Sequence, residues 1–332
     1  YLVINTAIIL ILYFSAGKVN DGLLLKGSVI ALINYVSQIL VELVKLANVV
    51  IIMGKAGACL KRVGEVLETE VSVEYPKIQT ECENDSNYAI VFDRVSLRYA
   101  GAGADSLTDI SFSVKVGETV GIIGGTGSGK SSMVNLIPRF YDATQGEVRL
   151  FGKNVRDLTR KELLDSVAIV DQKPLLFSGT IRDNMKWGKP DATDKEIFAA
   201  LDIAQASEFV LKKKKGLDEE VERGGANFSG GQKQRLSIAR AVITGAKIII
   251  FDDSSSALDY ATDAALRKAL KTLPKDTTIV TVSQRASSIA HADEIIVLDD
   301  GKIAGIGTHE SLLKDCEVYR EIYASQNKSE EA

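Results

Sequence analysis

Cysteine, histidine and surplus positive charge are all scarce in this chain. Its 332 residues include three cysteines and two histidines, and 40 Lys and Arg stand against 44 Asp and Glu, a net charge of −4. Cys59, Cys82 and Cys316 are odd in number and stand at no metal-ligand spacing. They argue against a disulfide framework or a thiolate metal site and read as reduced cytosolic thiols. The lack of net positive charge argues against nucleic acid held on a basic face. Charge of either sign is rarest in residues 1–53, which carry only Lys18, Asp21, Lys26, Glu42 and Lys45. That asymmetry excludes a uniformly soluble globule, a disordered chain and a fibrous repeat, none of which gathers its apolar residues at one end. At about 150 residues per domain the length suggests two compartments. A membrane segment fused to a soluble domain is what remains.

Residues 1–17 are free of charge and would reach about 26 Å as a helix, slightly less than the ~30 Å hydrocarbon core. The stretch lacks a charged leader, so it reads as part of a span rather than a signal peptide, with more chain expected before it. A second apolar stretch, about 27–53, is long enough to cross a bilayer. Within it Asn34, Gln38, Glu42, Lys45 and Asn48 recur at spacings of four, four, three and three, which puts them on one helical face. A charged pair facing lipid is costly, so this stripe is expected to face other helices or a water-filled path, with Glu42 and Lys45 paired. Lys55, Lys61 and Arg62 follow the span and place the C-terminal domain in the cytoplasm by the positive-inside rule. Residues 1–62 are thus read as membrane helices with a cytoplasmic extension. Residues 63–87, rich in acids such as Glu65, Glu70, Glu81, Glu83 and Asp85, read as a helix end and linker.

The chemistry begins in the domain expected over 88–328. Candidate strands at 89–92 and 111–116 precede a buried strand, 119–123, which runs into Gly124-Gly125-Thr126-Gly127-Ser128-Gly129-Lys130-Ser131-Ser132 and a helix to about Ile137. In G-x-x-x-x-G-K-S the glycines let backbone N–H groups close around phosphates. Lys130 supplies a point charge to the β/γ oxygens, and Ser131 offers a hydroxyl to Mg²⁺. Further on, Ile248-Ile249-Ile250-Phe251-Asp252 is a buried strand ending in the carboxylate expected to hold Mg²⁺ in a P-loop NTPase. Between them lies Phe228-Ser229-Gly230-Gly231-Gln232, followed by apolar residues at helical spacing.

In this order and at these intervals the motifs resemble the nucleotide-binding domain of ABC ATPases. With two preceding apolar spans, nearly the whole chain is similar to the C-terminal half of an ABC exporter subunit, with four of the usual six spans missing. The resemblance implies an α/β P-loop NTPase with a RecA-like core, an antiparallel β subdomain and a helical subdomain, preceded by two transmembrane α-helices. It implies ATP and Mg²⁺ as ligands and residues 124–132 as the phosphate loop. Tyr99 resembles the aromatic that stacks on adenine. Gln172 looks like the Q-loop residue that reaches Mg²⁺ beside Ser131 and Asp252. Asp259 is similar to the D-loop aspartate that crosses to a partner domain, and Ser229 to Gln232 resemble the signature that caps ATP held by the partner. Two composite sites at a dimer interface follow.

Two positions depart from the family pattern. Asp253 stands where a Glu ordinarily positions the attacking water, one methylene short, and Gln284 stands where the switch histidine belongs. Neither His291 nor His309 fits that role; His309 reads as a polar cap at the entry to the last helices. Misplacement by about 1 Å can cost ~10²-fold in rate, and Gln cannot carry an imidazolium charge. The reading is therefore a bacterial inner-membrane exporter subunit of degenerate site, half of a heterodimer that binds ATP but lends its signature to the partner, with a small-molecule or lipid-like cargo. Its competitors are a homodimeric exporter turning over at both sites, a nucleotide-gated regulator, and a soluble ABC ATPase, which should lack residues 1–53. The run Lys212 to Lys215 reads as a solvated helix end, and 329–332 as a frayed tail.

Overall fold

The computed structural model describes residues 2–69, 71–77 and 87–327; Glu70, residues 78–86 of the acidic linker with Cys82, and the tail from 328 onward lie outside them. The chain divides into two compact units, Tyr1–Val71 and Ser72–Ala332.

The first unit is two helices, Leu2–Asn20 and Lys26–Leu67, both long and apolar enough to cross a membrane. Residues 54–67 contain no proline, and the helix does not stop near Met53 but runs on to Leu67. Residues 63–67 are thus the helix end expected at the start of the linker segment. Glu42 and Lys45 pair at 2.7 Å as their spacing requires. Asn34, Gln38, Glu42, Lys45 and Asn48 are all exposed, whereas the half-buried Ile33, Val36 and Leu40 lie on the opposite side of the helix. The polar stripe therefore does not face the first helix.

The second unit is built on a six-stranded sheet. Its strands, with those of two smaller sheets, are β1 Tyr88–Leu97, β2 Leu107–Lys115, β3 Thr119–Gly124, β4 Gln145–Leu150, β5 Lys153–Asn154, β6 Val167–Val170, β7 Gly179–Thr180, β8 Glu220–Val221, β9 Ile248–Asp252, β10 Thr278–Val282, β11 Glu294–Asp299 and β12 Lys302–Gly307. The main sheet has the order β12-β11-β3-β10-β9-β6 and is parallel except for the edge strand β12. Strands covered on both faces read as unbroken apolar runs, as Ile248 to Phe251 do; the edge strand β12 alternates between exposed and half-buried positions. An antiparallel sheet of order β2-β1-β4-β5 encloses the helix Lys130–Leu136 against one face, with Ile90, Phe92, Met133 and Leu136 in the shared core. Its first strand is longer than the expected 89–92, because β1 pairs with both β2 and β4 and passes through bulges on the way.

The other face carries a helical layer around the helix Gly230–Val242, with Leu201, Leu236 and Ile238 in its core. Helix starts here are marked by reciprocal capping boxes at Thr180/Asp183, Thr193/Glu196 and Ser229/Gln232. Lys212 pairs with Glu208 in the exposed helix end expected there, while Lys213 lies 4.6 Å above the Phe228 ring. The last helices correct one expectation: Thr308 is the cap, accepting from Ser311 N–H, and His309 instead sits with Nδ1 2.7 Å from the buried Tyr319 hydroxyl. Helix formation at 309–315 is thus served by the threonine, freeing the imidazole to satisfy the phenol.

Asn184 is fully buried and ties down the chain between Phe177 and Thr180. Its Oδ1 accepts from Phe177 N–H at 2.9 Å, and its Nδ2 donates to the carbonyls of Phe177 at 2.8 Å and Thr180 at 3.0 Å. Asn184→Ala leaves these backbone groups unsatisfied, and a loss of about 1–3 kcal/mol is expected. Urea unfolding read by Trp187, the single tryptophan, whose ring lies 4.9 Å from Phe177, checks it. No shift in the unfolding midpoint would contradict the role.

Candidate nucleotide site

The parallel register sets the site. β10 lies between β3 and β9, with Val282 opposite Ile122 on one side and Asp252 on the other, so Gly124, Asp252 and Gln284 emerge at one edge of the sheet. The loop after β3 is shaped by what it touches. A Cβ at Gly124 would lie 2.2 Å from the Leu298 carbonyl, and one at Gly129, where φ is +96°, would lie 2.8 Å from the Ser106 carbonyl. A side chain at either is excluded. At Gly125 and Gly127, in contrast, a side chain would meet open space, the room a phosphate chain needs.

Lys130 is buried and donates to the carbonyls of Gly124 at 2.9 Å and Gly125 at 2.7 Å. Burial lowers its pKa, opposed by the charges of Asp253 and Asp252. The Ser131 hydroxyl donates to Asp252, whose carboxyl is raised above the usual range by burial. One hydroxyl and one carboxylate oxygen make a hard donor set suited to Mg²⁺, which takes few protein ligands and completes its shell with water and phosphate. No group of three acidic, histidine or cysteine ligands occurs among the described residues, in keeping with such a sparse site.

Asp253 adopts φ +45°, in the left-handed region, with its N–H held by the Val282 carbonyl at 3.0 Å. Its Oδ2 accepts from Gln172 Nε2 at 3.0 Å and from Gln284 Nε2 at 3.5 Å. Asp253 is therefore bracketed by two amides. Burial also raises its carboxyl, opposed by the Gln172 bond and the Lys130 charge.

A cleft of about 550 Å³ collects these groups: Thr126, Gly127, Gly129 to Ser132, Gln172, Asp252, Asp253 and Gln284 all line it. Several sequence-derived residues do not. Tyr99 sits behind it, its ring edge-on to Tyr141 and its hydroxyl donating to Ser132 Oγ at 3.0 Å. Ser229 to Gln232 cap the helix Gly230–Val242 away from the cleft, and Asp259 caps the helix Tyr260–Leu270 through the Thr262 N–H at 2.9 Å. Residues that sequence reasoning missed complete the wall: Ala102, Asp105, Ser106, Asp300 and Gly301. Asp105 is held by Arg98 Nε at 2.7 Å, and Gly301 bridges the Thr108 N–H and the Ser128 carbonyl. They lie in the turns of two hairpins, β1–β2 and β11–β12, whose strand pairing brings them to the cleft.

A glycine loop between a buried parallel strand and a helix, with Lys130 and Ser131 beside the Asp252 carboxylate, defines a P-loop NTPase. Residues 107–256 match the ABC transporter family model. An uncharacterized ABC transporter ATP-binding protein of Mycobacterium tuberculosis is 40% identical over 331 residues, covering 99% of this chain and 56% of that protein. A Staphylococcus aureus relative named as a multidrug export ATP-binding/permease protein is 42% identical over 238 residues, 72% of this chain and 41% of its own length. The solved structure of a bacterial Atm1-family ABC exporter with ATP bound superimposes with a TM-score of 0.76 at 29% identity, covering 98% of this chain and 56% of that one. The chain spans 56% of the length of the mycobacterial relative and of the solved exporter. Its second unit is an ABC transporter ATP-binding domain, the ATPase module of that family.

Asp252→Asn separates the ion from the fold. Because the native carboxyl holds its proton more tightly than the unfolded chain does, its ionisation weakens folding above the raised pKa and ceases to matter below the ordinary one. The variant is expected to resist urea better at neutral pH while losing Mg²⁺-dependent nucleotide binding. In the native protein that binding should fall on acidification at a higher pH than an exposed aspartate would set. Equal Mg²⁺ dependence in both proteins, by titration calorimetry, would remove Asp252 from the site.

Proposed function

We propose that the chain is the C-terminal part of an ABC exporter subunit that drives efflux of a small-molecule or lipid-like cargo across a bacterial cytoplasmic membrane. Its own ATP site is the impaired one of a heterodimer. The observation that carries this reading is the bracketed Asp253. A shorter acid than the usual glutamate has its Oδ2 engaged by Gln172 at 3.0 Å, and Gln284, in place of a histidine, brings a second amide to the same oxygen. An amide neither takes up nor carries a proton near neutral pH, so this cluster holds nucleotide without assembling a base and a cation around an attacking water. Ser229 and Gly230, exposed and outside the chain's own cleft, stand free to complete the site of a partner subunit. The relatives named for export, and two helices long enough to span a bilayer, support the membrane part of the reading. Ser131, Asp252 and Gln172 are the residues that would hold Mg²⁺, which would supply charge to the phosphates.

The test is the ATP turnover of the complete parent subunit, alone and with its partner. Alone, the protein should bind MgATP and hydrolyse it slowly, and Asp253→Glu with Gln284→His should raise the rate by about 10²-fold, the scale on which a positioned acid/base acts. Native turnover near the ~10 s⁻¹ common among enzymes would show both sites competent and return a homodimer.

A further inference from the structure

A second cavity lies in the same unit, and nothing in the ATPase reading uses it. At about 700 Å³ it is larger than the nucleotide cleft and within the size range of small-molecule sites. It opens between the helix Tyr260–Leu270, the turn 271–277 and the face of the parallel sheet on which Ile279 and Thr281 project; Val280 and Val282 alternate to the other face. Its depth reaches Thr119 at the start of β3, the opposite strand end from the phosphate loop.

The lining has two chemistries in separate places. Leu270, Leu273, Ile279 and Ile289 give an apolar floor. The rim carries four cations, Arg267, Lys268, Lys271 and Lys275, against one acid, Asp293. That acid is engaged, accepting from the Thr119 N–H at 2.8 Å. Arg267 is also engaged, with Asp263 at 3.1 Å and the Ser287 carbonyl at 3.2 Å. Lys268, Lys271 and Lys275 form no ion pair with any described residue, and the hydroxyls of Thr119, Thr281 and Ser288 form no hydrogen bond with one. An apolar floor under uncompensated cations and unused hydroxyls is complementary to a molecule with an apolar body and one acidic end.

We propose that this cavity is a binding site for a small amphipathic anion, a carboxylate, sulfonate or phosphate carried on an apolar ring or short chain. The site is separate from the nucleotide cleft and independent of whether the exporter reading holds. Ligand there touches β10 on one face while Val282 lines the cleft from the same strand, so both ligands load one element without sharing space. Any change the anion makes in ATP affinity is mirrored by an equal change that ATP makes in anion affinity.

Naphthalene-2-sulfonate tests it, titrated into the full chain in micelles by equilibrium dialysis, with neutral 2-naphthylmethanol as the uncharged comparison. Saturable binding of one sulfonate per chain, retained under saturating MgATP, is expected. Lys268→Glu with Lys271→Glu, at two exposed positions, should weaken it about tenfold, with the neutral compound equally weak on the native chain. Ala264→Trp, also at an exposed lining position, should block the mouth and abolish saturable binding. Retained MgATP binding shows each variant to be folded. Displacement of the sulfonate by ATP, binding unchanged in both variants, or no saturable component at all would each overturn the proposal.

Discussion

The register of β10 between β3 and β9 is the constraint on which the rest of the second unit depends. One strand, hydrogen-bonded on both sides, fixes the height at which three chain segments leave the sheet. A slip of one residue would turn every side chain of a strand to the other face and carry Asp252 away from Ser131. Such a slip is prevented by burial on both faces, since Val280 and Val282 belong to one core and Ile279 to the other. The catalytic geometry is thus a by-product of packing. The carboxylate, the lysine and the two amides come from segments as much as 154 residues apart, yet they meet because the apolar strands between them have a single way to lie.

The nucleotide-binding elements were legible in the sequence for the same reason. Parallel strands covered on both faces are written as uninterrupted apolar runs, and Ile248 to Asp252 is a strand where the sequence places one. The phosphate loop is legible because its glycines answer backbone demands that other residues cannot meet. What sequence could not give was tertiary. The bond between Gln172 and Asp253 joins residues 81 apart, and the Asp105 and Gly301 walls are held by contacts with no periodic signature. The role of His309 was misread because Thr308, one residue earlier, caps the helix equally well and leaves the imidazole to Tyr319. The helix stop expected near Met53 was an inference from hydropathy, which reports where lipid can end and not where a helix does.

Asp253 and Gln284 act together in the site. A glutamate in place of Asp253 would carry its carboxylate one methylene farther from the backbone, and a histidine at 284 would bring a group able to hold a proton. With Asp and Gln, the two side chains instead satisfy one another in a small hydrogen-bonded set that includes Gln172. Lys130, bonded to the carbonyls of its own loop, is likewise provided for before any phosphate arrives. Polar groups that are already partnered hold their places, and a cleft lined by them is preorganised for binding.

The unbroken helix Lys26–Leu67 has a practical consequence. Its 42 residues extend about 63 Å, twice the thickness of a hydrocarbon core, so a bilayer can cover at most half of it. Leu60, Val63 and Val66 follow one another at intervals of three in the remainder, all exposed. This apolar row lies past the span read at 27–53, and a truncation made just past Met53 would leave it facing water on the ATPase unit as a self-associating handle. A soluble version of that unit has its natural cut after Leu67.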